Sequence, residues 1–275
     1  MRSIMSFHLI HFTKNLNGYE DVNLYLPVGT EYEDMVAPGE KFQTLWLLHG
    51  HAGNFMEWPQ YSAIEKLAML NKFAVVSVDG DNSFYNDMPN GDSYYTYITE
   101  ELPAFLRKHF PLSDKREDNF IAGLSMGGYG ASKLGFANPD KYCAIGIFSA
   151  GPADILNNPF EGLLEMSSNF KEGDLEPGKV NDIWGSFLKL KDSGYPMPII
   201  YDACGKQDFA HVWYDQFKAF VEEKGMSEYV IFEDWDGVHD WTFWDTAVHK
   251  FVDLLPLKDR GIWRKWYNER HPEAR

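Results

Sequence analysis

Phe120-Ile121-Ala122-Gly123-Leu124-Ser125-Met126-Gly127 decides the fold of this chain. An apolar run that begins at Asn119 leads into Gly-x-Ser-x-Gly, and a helix-forming segment follows. A serine placed between a strand and a helix, with glycine two residues away on each side, has the pattern of a nucleophile elbow. Side chains at the flanking positions would clash in so tight a turn. Gly123 and Gly127 therefore let the Ser125 hydroxyl stand clear of the sheet. A helix that starts at Met126 then aims its backbone N–H groups and positive end at developing negative charge.

Strands and helices alternate on both sides of this junction. Residues 7–12 and 22–26 flank Asn15-Leu16-Asn17-Gly18 and read as an antiparallel hairpin. Thr44-Leu45-Trp46-Leu47-Leu48 is a buried strand ending at His49-Gly50, and 73–78 is the next, with helical periodicity at 61–70 between them. Residues 95–110 predict a helix closed by Pro111, although Pro103 falls inside it. The elbow helix runs from Met126 to about residue 136. Further strands are expected at 143–148, 198–203 and 228–233, with helices at 210–223 and 241–255.

This order predicts an α/β fold: a mostly parallel, eight-stranded sheet with an N-terminal antiparallel hairpin and helices on both faces. One domain spans 1–275, with 256–275 as a C-terminal extension. The stretch 151–195 is too long for an ordinary strand connection and is rich in Gly, Asn, Pro and Glu. It predicts a small cap insertion over the strand ends, with Phe160, Trp184 and Phe187 supplying apolar contacts.

Composition narrows the function. A formal charge of −16 over 275 residues, with a pI near 4.9, argues against nucleic-acid partners and against anionic membrane surfaces. No run approaches the roughly 18–20 apolar residues of a membrane span, and Met1-Arg2-Ser3-Ile4-Met5-Ser6-Phe7 opens no apolar run of signal-peptide length. The expectation is a cytoplasmic protein. Cys143 and Cys204 fall at the start of one strand and the end of another, so no disulfide is expected. Aromatic residues, 16% of the chain with nine Trp, fit a bulky core or a cleft for sugar or aryl groups.

A serine nucleophile needs a base, and the base needs an orienting acid. Behind an elbow of this kind the chain order is Ser, acid, His. Of the histidines after Ser125, His211 and His249 fall in or at the start of helices and His271 in the tail. Only His239, in Asp236-Gly237-Val238-His239-Asp240, sits in a loop directly after a strand, which makes it the base. Asp208 is the acid, in the loop after 198–203; Asp202, mid-strand, is too deep to reach the imidazole. The oxyanion donors are the N–H of Met126 and that of His51, in Leu48-His49-Gly50-His51-Ala52-Gly53-Asn54. The His-Gly-His spacing lacks the Cys or carboxylate company of a zinc site, so no metal is expected.

These motifs are specific in combination. Leu47 to Asn54 with Trp58, then Val78-Asp79-Gly80-Asp81-Asn82-Ser83-Phe84-Tyr85, Tyr94 to Pro103 and Phe120 to Gly130, resemble the tributyrin-esterase branch of the esterase D-like esterases. That wider group includes S-formylglutathione hydrolases, feruloyl and acetylxylan esterases and mycolyl transferases. The similarity runs over about 7–255 and implies an α/β-hydrolase fold and a Ser-Asp-His carboxylesterase needing no cofactor. It carries over to Ser125, Asp208, His239 and the His51 and Met126 amides; His51 stands where relatives often have an apolar or small residue. By position and by resemblance, Trp58, Asn82, Phe84, Tyr85 and Trp184 are expected to line the substrate site.

The resulting expectation is a serine carboxylesterase for short-chain acyl esters, including acetyl, feruloyl or cinnamoyl esters of carbohydrates. Its partner is a small-molecule ester, and homo-oligomerisation is left open. S-formylglutathione hydrolysis and acyl transfer by the same three residues are the alternatives, and a catalytically silent scaffold is a third.

Overall fold

Period-two alternation in the central strands feeds two separate cores. In β3 (Thr44–Leu48), Leu45 and Leu47 join one core and Trp46 and Leu48 the other. Successive side chains of a strand point to opposite faces, so a strand covered on both sides is apolar throughout. The same division runs through β4 (Ala74–Val78), β5 (Asn119–Leu124) and β6 (Ala144–Phe148).

The computed structural model describes residues 2–29, 39–89, 91–154, 170–171, 173–258 and 269. Its eight-stranded sheet has the order β1-β2-β4-β3-β5-β6-β7-β8. Here β1 (Arg2–Thr13) and β2 (Gly18–Gly29) form the antiparallel hairpin, which is longer than its apolar runs suggested, and β2 also joins β4 antiparallel. From β4 to the far edge, through β7 (Ile199–Gly205) to β8 (Val230–Trp235), every pairing is parallel. The chain winds outward from β3 to β4 and then returns to place β5 on β3's other side. Loops leaving β3 and β5 therefore open side by side, the usual place for a ligand in such a sheet.

Helices cover both faces. One core takes α1 (Glu57–Tyr61), α2 (Ile64–Asn71) and α8 (Trp241–Leu254); the other takes α3 (Tyr94–Thr96), α4 (Leu102–His109), α5 (Met126–Ala137), α6 (Ile183–Lys189) and α7 (His211–Glu223). The expected helix at 61–70 is α2, which starts only at Ile64: Tyr61 ends α1, and the Ala63 N–H at the break is taken by Asp245 of α8 at 2.7 Å. The expected helix at 95–110 is also interrupted. Pro103 has no N–H to give the Thr99 carbonyl, the chain widens into a π turn over Tyr97–Glu101, and Lys141 Nζ binds the freed carbonyl at 2.9 Å.

Within 151–195, α6 lies against α5, and Phe187 packs on Phe136 and Phe217. Phe160, residues 155–169 and 172, and most of the 256–275 extension lie outside the described residues. Cys143 and Cys204 are buried free thiols. Among the described residues, no helix is long and apolar enough to cross a membrane.

Asp202 is fully buried on β7, paired in the ladder with Ile147 and Phe232, and neither carboxyl oxygen has a protein hydrogen-bond partner. Burial pushes its pKa well above the usual carboxylate value. A carboxyl protonated in the folded state and ionised in the unfolded one costs stability as pH rises above about 4, by about 1.4 kcal/mol per unit until it ionises in place. Asp202→Asn removes that slope. The difference in melting temperature should therefore grow in the variant's favour between pH 4 and pH 7; a difference that stays flat across this range would show that Asp202 is ionised in the native protein.

Candidate active site

The elbow depends on two backbones crossing without side chains between them. A Cβ on Gly123 would overlap the Gly127 carbonyl, and one on Gly127 would overlap the carbonyl oxygens of Leu48 and His49. Between these glycines Ser125 takes φ +51° and ψ −122°, a conformation that non-glycine residues rarely adopt. Its amide donates to Phe148 O at 2.8 Å, and its carbonyl accepts from Gly128 and Tyr129 at the start of α5. Met126 is the first residue of that helix, where an N–H has no intrahelical acceptor.

Three side chains from distant parts of the chain meet here. His239 Nε2 lies 2.9 Å from Ser125 Oγ, and His239 Nδ1 lies 2.9 Å from both Asp208 oxygens. With its proton on Nδ1, whose N–H donates to Asp208, the ring turns the Nε2 lone pair to the serine hydroxyl. Asp208 also accepts the Ala210 N–H at 2.8 Å. Burial opposes its charge, but the bonds from His239 and Ala210 outweigh that and hold its carboxyl below the usual range. The loops carrying the two residues are tied together: Gly237 N–H donates to Gln207 Oε1 at 2.8 Å, and Gln207 N–H to Gly237 O at 3.0 Å. Phe209 lies over the imidazole with ring centres 4.3 Å apart, and Trp244 meets it edge-on at 4.9 Å.

Ser125 opens onto a cavity of about 420 Å³. The loops after β3 and β4 supply His51 and Phe84, and α5 supplies Met126 and Tyr129. Ala150, Gly151 and Ala153 come from the loop after β6, with Phe209 and Trp213 from the β7–α7 side. No Lys, Arg, Asp or Glu lines it among the described residues.

Of the expected lining residues, only Phe84 reaches this cavity. Trp58 is fully buried, donates from Nε1 to Leu48 O at 3.0 Å and meets Phe148 and Trp241 edge-on. Tyr85 is also fully buried; its ring fills the space left by the missing side chains of Gly80 and Gly130, and its hydroxyl donates to His49 O at 2.8 Å. Asn82 Oδ1 accepts the Ala52 N–H at 2.6 Å and so braces the loop that carries His51. Trp184 stacks on Phe220 with centres 4.2 Å apart and donates to Pro152 O, between the lining residues Gly151 and Ala153, without lining the cavity itself.

His49 is buried, its Nε2 accepting the Gly80 N–H at 2.9 Å and its Nδ1 donating to Gly50 O at 2.7 Å. Among the described residues no group of three or more His, Cys, Asp or Glu is placed to hold a metal ion. Sequence reasoning missed Phe209, Tyr129 and Trp213. Tyr129 lies one helical turn beyond Ser125, and Phe209 adjoins Asp208, so spacing alone pointed to both.

Known proteins similar to this chain are esterases and serine hydrolases. The model of the family described as Putative esterase matches residues 13–252. An acetyl esterase of Caldicellulosiruptor saccharolyticus is 35% identical over 220 residues, covering 76% of this chain and 81% of that one. Among solved structures, the substrate-bound fluorophosphonate-binding serine hydrolase F of Staphylococcus aureus superposes with a TM-score of 0.78 at 28% identity, over 92% of this chain and 98% of the other. An S-formylglutathione hydrolase from the same organism gives 0.77 at 28% identity, over 92% and 99%.

The backbone crossing leaves no room for even one methyl group. Gly123→Ala should lower unfolding free energy by about 3 kcal/mol, measured as a reduced midpoint in urea; an unchanged midpoint would mean the elbow relaxes freely.

Proposed function

The chain belongs to the Putative esterase family, and from that premise we propose a serine carboxylesterase that hydrolyses short-chain acyl esters of neutral alcohols through an acyl-enzyme on Ser125. The observation that carries this reading is the run of 2.9 Å contacts from Asp208 through His239 to Ser125, on the wall of an apolar cavity.

Ser125 Oγ attacks the ester carbonyl carbon while His239 Nε2 takes the hydroxyl proton. The carbonyl oxygen gains a negative charge, which the His51 and Met126 N–H groups receive. His239 then gives its proton to the departing alcohol. A water deprotonated by the same imidazole cleaves the acyl-enzyme, releasing the acid and restoring Ser125. Asp208 keeps the imidazole in the required tautomer and stabilises its charged form without taking the proton.

The cavity supports this substrate class. Small-molecule sites run from about 300 to 1,000 Å³, so 420 Å³ is at the small end and suits acetyl to butyryl groups. The acetyl esterase among the relatives supports a small acyl group. In this reading the insertion 151–195 is a cap that contributes Ala153 to the cavity, while Phe170 touches Phe84. At the mouth Phe209 is 65% exposed and offers a face to a sugar or aryl alcohol. S-formylglutathione, suggested by one structural relative, is a weaker fit: its leaving group is anionic, and no Lys or Arg lines the cavity among the described residues.

Hydrolysis of p-nitrophenyl esters from acetate to decanoate, with S-formylglutathione assayed alongside, tests the reading. Turnover should peak at C2 to C4 and fall by roughly 10³-fold or more in Ser125→Ala. A peak at C8 or longer, or a faster reaction with the thioester, would overturn the substrate assignment; near-wild-type turnover by Ser125→Ala would overturn the nucleophile.

A further inference from the structure

Helix α5 carries one charged residue, Lys133, about two turns beyond Ser125, and it is fully buried. Its ammonium donates to the Phe84 carbonyl at 2.6 Å, to Asn86 Oδ1 at 2.6 Å and to Asn181 Oδ1 at 3.3 Å. Tyr129, whose ring centre is 5.3 Å from the Lys133 nitrogen, donates its hydroxyl to the same Asn181 oxygen at 3.0 Å. An ammonium has three donors, and here each has an acceptor. Removing such a charge from water is unfavourable unless it is well paired, so its place in an otherwise uncharged helix is explained by what it holds.

What it holds is strained. Phe84 and Tyr85 have φ of +52° and +56°, where bulky residues persist only when their surroundings fix them. The carbonyl joining these two residues is the one Lys133 binds. Phe84 forms part of the cavity wall, against His51 and Tyr129. The rest of the same loop holds the preceding one: Gly80 N–H bonds to His49, Tyr85 hydroxyl to the His49 carbonyl, and Asn82 to the Ala52 N–H.

We infer that Lys133 is a positioning residue: by gripping Phe84, Asn86 and Asn181 it sets the acyl-cavity wall and, through loop 79–86, the loop that carries His51. Its effect on turnover rests on the esterase reading above; the anchoring itself does not.

Lys133→Met keeps the bulk of the side chain and removes the donors. Hydrogen–deuterium exchange should show the peptides containing Ala52 and Gly80 exchanging about ten-fold faster, with β5 and β6 unchanged. With active sites titrated by the p-nitrophenol burst, kcat per site should fall about ten-fold, and the acyl-chain optimum should move to longer chains as Phe84 retreats. A purely structural role would lower the melting temperature but leave per-site kcat and the chain-length profile at wild-type values. Unchanged exchange at Ala52 and Gly80 would overturn the proposal. If Lys133→Met fails to fold, Asn86→Ala, which removes one acceptor, decides by the same exchange measurement. Absence of ester turnover in the wild type would count against the esterase reading alone, because exchange needs no activity.

Discussion

Everything at this site follows from how closely α5 crosses the ends of β3 and β5. Where the helix starts, its backbone touches the Leu48 and His49 carbonyls, and Gly123 faces Gly127 with no space for a methyl group. That approach forces Ser125 to a positive φ and lifts its side chain above the sheet. A looser crossing would admit ordinary residues and relax the serine, but the hydroxyl would then sink towards the strand. The strain is local, and burial on both faces of the sheet offsets it many times over.

Around that point the site is a product of topology. The six strands from β3 to β8 run parallel, so their C-terminal ends share one rim, and each delivers part of the machinery. His51 follows β3, Phe84 follows β4, Ser125 follows β5, Ala150 to Ala153 follow β6, Asp208 follows β7 and His239 follows β8. Hydrogen bonds between neighbouring loops then convert approximate placement into fixed geometry. Gln207 with Gly237 does this for the acid and base, and Asn82 with Ala52 does it for the loop of His51.

The strand–helix alternation, the hairpin and the residues meeting at Ser125 were legible in the sequence because each has a local signature. Apolar runs mark strands covered on both faces, and the glycines of the elbow answer a steric demand that the motif itself displays. Burial of loop aromatics has no such mark. Trp58 and Tyr85 sit among motif residues near strand ends, yet their rings turn inward because Gly80 and Gly130 leave room for one and the Leu48 carbonyl accepts from the other. The break in the helix at Pro103 was visible as a proline, but its form was not: a widened turn needs Lys141, from elsewhere in the chain, to satisfy the Thr99 carbonyl. Trp184 was expected to line the substrate site, and its stacking on Phe220, a residue distant in the chain, is a contact that no local pattern displays.

One consequence lies in where the base resides. His239 follows β8, the last strand added to the open edge of the sheet, held on one side only by β7 and backed by α8. Its partner Ser125 is 114 residues earlier, in the middle of the sheet. Edge units are among the first parts of a protein to open below global unfolding. Opening of β8 alone would carry the imidazole away while the nucleophile and its helix stayed in place; α8 would stay too, because Phe243, Trp244, Ala247, Val248, Phe251 and Val252 are buried in one of the two cores. Loosening of that one strand is therefore enough to break the relay of Asp208, His239 and Ser125 without dismantling either core.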